Sequence, residues 1–142
     1  MKLFKKLALL FSVLFLFSSF NIDSDKSYVG KWKGKDKGDI GFITLSSDNY
    51  ATFEFEGRVM GGKSYMQQGL NAAMTYTVDE STKPYKIDFI MINKENNSEL
   101  GRLLGIINMI TPDEMEMAIG FDGSSRPSDF SSNNITFYRH KE

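Results

Sequence analysis

The chain has 142 residues, no cysteine, one histidine and a formal net charge of −1. The lack of cysteine excludes disulfides, thiolate metal sites and lipid attachment at a lipobox cysteine together. Hydrophobic content of 41% with 13% aromatics is more than a disordered chain carries, so a packed domain is expected.

Lys2, Lys5 and Lys6 precede an apolar run from Leu7 to Phe17 broken only by Ser12. At 11 residues the run fits the hydrophobic region of a secretory signal and is too short to span a bilayer. Ser18 and Ser19 supply small residues for cleavage. The expectation is a signal peptide over 1–20, with an uncleaved anchor as the alternative because no A-x-A pattern is present, then a polar leader over 21–27 and one domain over 28–142, placed outside the cytoplasm, in the periplasm or secreted. Without the signal, 17 Lys and Arg fall to 14 against 18 acids. A mildly acidic domain gains little from phosphate neutralisation, so no nucleic-acid partner is expected. No second long apolar run follows, so no transmembrane segment is expected in the mature form.

Period-two alternation dominates the rest of the chain. Tyr28 to Gly34 sets Trp32 on one face, with Lys31 and Lys33 on the other. Ile40 to Ser46 and Tyr50 to Glu56 follow, joined through Ser47-Asp48-Asn49. Gly57 to Ala73 is irregular, with Gly61-Gly62, Gly69 and a predicted single helical turn at Met66 to Gln68. Strand character returns at Met74 to Val78, Tyr85 to Ile92, Arg102 to Met109, Glu114 to Phe121 and Asn134 to His140, with Asp122 to Asn133 as a polar loop. About eight strands with short connections predict an all-β fold. An antiparallel up-and-down barrel comes first, because closure removes exposed sheet edges. A β-sandwich is the alternative, and periodicity alone does not separate the two.

Gly30-x-Trp32 at the start and Arg139 in the last strand resemble the lipocalin and wider calycin pattern. That resemblance implies an arginine packed over the indole at the closed end of a barrel. Ile135, Phe137 and Arg139 share one strand face, which agrees with an inward guanidinium, and an indole face offers it a cation–π contact. Asp79-x4-Pro84-x2-Ile87-Asp88, Gly101-x3-Gly105-Ile106 and Arg126-Pro127-x2-Phe130 occur in that order and resemble a family of small lipocalin-like exported bacterial domains without an assigned activity. Two features depart from the family's pattern: Ile107 stands where an aromatic is usual, and a cysteine expected near Met117 is absent. On their own physics, Gly101 and Gly105 read as sites of strand bending or bulging. Arg126-Pro127 reads as a loop folding back across one barrel end with Phe130 as its plug.

Catalysis has little support. His140 is the only histidine and lies two residues from the C-terminus, so no Ser-His-Asp, Cys-His or zinc constellation is available. No enzyme activity, metal or cofactor is expected. The functional lead is the apolar face: Phe42, Phe53, Phe55, Phe89, Met91, Met115, Met117, Ile119 and Phe137 are the candidate lining of a site for a small lipophilic molecule. The same residues serve equally to fill a solid barrel. In that case the protein is an interaction or structural module acting through its loops, chiefly Gly57 to Ala73 and Asp122 to Asn133, on a protein partner the sequence does not identify.

Overall fold

The alternating segments pair into a single antiparallel sheet of ten strands that curls into a nearly closed barrel. The computed structural model describes residues 26–35 and 41–141. The expected signal peptide and most of the leader lie outside the described residues. In chain order the strands are β1 (Gly30–Gly34), β2 (Phe42–Leu45), β3 (Ala51–Phe55), β4 (Arg58–Gly61), β5 (Tyr65–Gln67), β6 (Leu70–Asp79), β7 (Tyr85–Asn93), β8 (Glu99–Thr111), β9 (Glu114–Gly120) and β10 (Asn134–Arg139). Sequential strands are neighbours throughout except at β4 and β5. The first and last strands pair with each other, Trp32 opposite Arg139 and Gly34 opposite Phe137. One sheet curling back on itself is a barrel, and the sandwich is set aside.

β4 and β5 are the free ends of the sheet, and the seam between them is bridged one strand further in. The Met74 N–H donates to Gly62 O at 2.9 Å, the Tyr76 N–H donates to Asn49 O at 2.9 Å, and Tyr50 pairs with Thr75. Gly61 makes this turn possible. Its φ is +106°, and a Cβ there would lie 2.3 Å from Ala51 O, a distance no L-side chain tolerates. The expected strand number was lower because β4 and β5 arise from the stretch that reads as irregular. The helical turn predicted at Met66 to Gln68 is corrected: Tyr65–Gln67 is strand, paired with β6, and Gln68 and Gly69 form the turn between them. A hairpin of this length offers too few residues for an alternation to register.

Polar turns are built by aspartates whose side chains replace a backbone partner. Asp79, Asp122 and Asp129 accept the N–H of Ser81, Ser124 and Ser131 at 2.9 to 3.0 Å, the i to i+2 geometry of an Asx turn. Asp48 accepts the Ser46 hydroxyl and pairs with Lys63. These bonds hold all four carboxyls below the ordinary aspartate value. A group with a depressed folded pKa stabilises the fold above its unfolded pKa and loses that contribution as pH falls through the folded value. The urea midpoint is therefore expected to fall progressively from about pH 4 downward. A midpoint flat to about pH 2 contradicts this account of the turns.

Candidate functional site

Antiparallel alternation gives the barrel two unlike ends. The closed end is built around Trp32, which is fully buried. Its indole N–H donates to Tyr28 O at 3.0 Å, and the Arg139 guanidinium lies over the ring, 4.4 Å from its centroid. Arg139 also gathers the chain around it. Nη1 donates to Val29 O at 2.8 Å, Nη2 donates to Ser27 O at 2.7 Å and Pro112 O at 2.9 Å, and Nε lies 3.2 Å from both Pro112 O and Asp113 Oδ1. Gly30 leaves the room: its φ is +140°, and a Cβ there would sit 2.6 Å from Arg139 Nη1. Both ends of the Gly30-x-Trp32 motif thus serve one guanidinium, Gly30 by lacking a side chain and Trp32 by its ring face. Arg139→Ala is expected to shift the emission of the only tryptophan to the red as water reaches the indole. An unshifted spectrum assigns the cover to other groups.

Tyr28 and Tyr76 continue this floor inward. Their rings meet edge to face at 6.4 Å, and the Tyr76 hydroxyl donates to Ser46 O at 2.8 Å. Burial first, then the neighbouring Tyr28 and Asp48, push the Tyr76 phenol up to about 12, so it stays a donor at any physiological pH. Above the floor the interior is packed. Phe53 and Phe89, on strands that are not neighbours, touch edge to face at 4.9 Å. Met115, Met117, Ile119 and Phe137 are fully buried with them. Partly covered apolar residues lie toward both ends, Val78, Tyr85 and Met109 toward the Trp32 end and a larger group toward the other. Phe55, Met60, Tyr65, Met91, Leu103 and Ile135 pack on this core while remaining only partly covered. On the interior face, Phe55 and Met91 lie near the ends of β3 and β7, Leu103 and Ile135 near the starts of β8 and β10, Met60 within β4 and Tyr65 at the start of β5, and this apolar group is termed the mouth.

Of the residues expected to line the interior, Phe53, Phe89, Met115, Met117, Ile119 and Phe137 fill its middle, and Phe55 and Met91 stand in its mouth. Phe42 is corrected: it lies on the outer wall. Ile43 and Leu45 are the buried residues of β2. Phe42 instead packs against the His140 ring at 5.2 Å, with Lys31 Nζ 4.8 Å from its centroid. Both faces of Ile40 to Ser46 carry apolar residues, so parity alone gave no sign. The partner strands decide it, because Phe42 opposes Lys33 and Glu54. Tyr65 was missed for the opposite reason, since its strand is too short to show a period.

Arg126 is likewise placed on the wall, not across an end. Its Nη1 donates to Gly105 O at 2.8 Å and Ile87 O at 3.2 Å, and its Nη2 donates to Asp88 Oδ1 at 2.7 Å. Asp88 Oδ2 accepts from Arg102 Nη1 at 3.0 Å. All these anchors belong to β7 and β8, so Arg126 staples the 122–133 loop to the outside of the barrel. Gly105 stays in register, and its bend reading is replaced by close approach: a Cβ there would come within 2.8 Å of Ala118 O. The irregularity in β7–β8 pairing falls instead at Met91 and Ile92, beside Gly101. Beside Arg126 an open cleft of about 330 Å³ is lined by Lys83, Pro84, Lys86 and Pro127 among others.

No family model, curated protein or solved structure matches the chain.

Proposed function

We propose that this is an exported, non-catalytic, lipocalin-like binding protein that takes a small lipophilic molecule into the mouth of its barrel. The observation that carries the reading is the uneven burial of the interior face. The middle is filled by side chains in mutual contact, whereas Phe55, Met60, Met91, Leu103 and Ile135 are left partly uncovered toward one end, a larger group than Val78, Tyr85 and Met109 toward the other. Clustered apolar side chains left partly uncovered gain by excluding water, and a guest of matching polarity would complete their burial. Methionines suit such a site because they adapt to varied shapes. The charged and apolar N-terminal segment supports export, and the motif resemblance supports the lipocalin-like assignment.

The test compares two tryptophan substitutions after the protein is purified from its native host, its N-terminus sequenced and its organic extract analysed by mass spectrometry. An apolar guest at 100-fold excess over its Kd is expected to stabilise the fold by about 2.7 kcal/mol. Met91→Trp fills the mouth and is expected to abolish that gain with little loss of stability. Met117→Trp enlarges a fully buried side chain and is expected to cost about 1 to 3 kcal/mol through overpacking. An extract without ligand, together with melts that no apolar compound shifts, overturns the reading. A second reading, an interaction module, draws on Val59, 60% exposed, and Met66, 67% exposed, on the short strands of the seam. It takes over in that event.

A further inference from the structure

We propose that the Tyr65 hydroxyl is the polar anchor of the mouth, donating a hydrogen bond to the oxygen of a neutral, carbonyl-bearing lipophile. The inference rests on the mouth reading above and narrows its ligand class. Among the described residues, Tyr65 Oη is the side-chain polar atom that is buried from solvent and lacks a hydrogen-bond partner. Such a group has given up its water without a replacement, a disfavoured arrangement that native structures seldom leave without a purpose. Tyr76 shows the ordinary outcome, a buried phenol bonded to a backbone carbonyl.

Register fixes where Tyr65 points. It pairs with Ala72, which is fully buried, and Ala72 pairs in turn with the buried Asn93. Tyr65 therefore shares the interior face and packs on the core. Asn93 has its carbonyl oxygen committed to the Glu95 N–H at 2.9 Å. Burial also pushes the Tyr65 phenol up from its ordinary value, which keeps the proton in place and makes the group a donor at neutral pH. The rest of the mouth decides the ligand's charge. Phe55, Met60, Met91, Leu103 and Ile135 bring no ionic group to it, and a charged head buried among them would lack compensation. A ketone or ester oxygen asks for one donor and no counter-ion, which is what the site offers.

The experiment is a cycle of two ligands and two proteins, using octyl methyl ketone and decane, which have equal chain length, against wild type and Tyr65→Phe. Dissociation constants and urea midpoints are measured for all combinations. Tyr65→Phe is expected to weaken ketone binding about fivefold to tenfold, the worth of one such hydrogen bond, and to leave decane binding unchanged or tighter. Its urea midpoint without ligand is expected to hold or rise, because the hydroxyl it removes has no partner to lose. Equal effects on ketone and decane overturn the anchor while leaving the mouth in place. A lowered midpoint also overturns it, by showing a structural partner for the hydroxyl. If wild type binds neither compound, the mouth reading falls, and the anchor with it.

Discussion

Trp32→Ala is expected to cost about 3 to 5 kcal/mol of folding stability, the range for truncating a fully buried large aromatic. The figure is set by what the indole supports as well as by its own burial. It has no solvent exposure, its N–H holds Tyr28 O at 3.0 Å, and its face carries the Arg139 guanidinium. Truncation removes the ring beneath a charge that makes bonds to Ser27, Val29 and Pro112. The cation–π contact alone accounts for about 0.5 to 2 kcal/mol, so most of the loss is cavity and transfer. With total stability of about 5 to 15 kcal/mol for a domain of this kind, the variant sits near the edge of folding. Urea titration at low temperature is the measurement, and Trp32→Phe, which keeps an apolar ring, is expected to recover part of the loss. A Trp32→Ala cost below about 1 kcal/mol is incompatible with an indole packed as part of the core.

The clamp was legible in the sequence because it joins two short signals with independent parity, Trp32 opposite two lysines and Arg139 in step with Phe137. The β9 strand was legible for the same reason: Met115, Met117 and Ile119 alternate with Glu114 and Glu116, and the structure buries the first set completely. What the sequence hid is where local pattern runs out. β4 and β5 have four and three residues, too few for a period, and their place is set by Gly61 and by pairing with β3 and β6. Phe42 was misassigned because β2 is apolar on both faces, and only its cross-strand partners, Lys33 and Glu54, show which face is wet. Arg126 was read as a cover for one end and lies on the wall instead, since its anchors on Ile87, Asp88 and Gly105 lie 21 to 39 positions away in the chain. The mouth and the Tyr65 hydroxyl depend on burial, which no spacing encodes.

Phe53→Ala is expected to cost about 3 to 5 kcal/mol as well, and its consequence for binding separates a filled barrel from a hollow one. Phe53 lies at the level where the interior is closed by contact across it, edge to face with Phe89 at 4.9 Å and with Phe55 at 6.0 Å. Strand neighbours Ile43 and Met60 flank it on the same face. Removing the ring leaves an apolar void lined by Phe89, Phe55, Ile43 and Met60, and such voids stay dry and accept small aromatics. Benzene is therefore expected to stabilise Phe53→Ala in proportion to RT ln(1 + [L]/Kd) while doing far less for wild type, where the Phe53 ring meets Phe89 at this level. The contrast bears on the site, because the void opens directly below the mouth. If the proposed function holds, a guest placed against Phe55 and Met91 would sink toward the new space, and longer apolar ligands are expected to bind the variant more tightly than wild type. If Phe53→Ala instead costs less than about 1 kcal/mol and benzene stabilises both proteins alike, the interior around Phe53 is already open. The binding site would then extend through the barrel to the Trp32 floor, and Met117→Trp would block it as well as Met91→Trp.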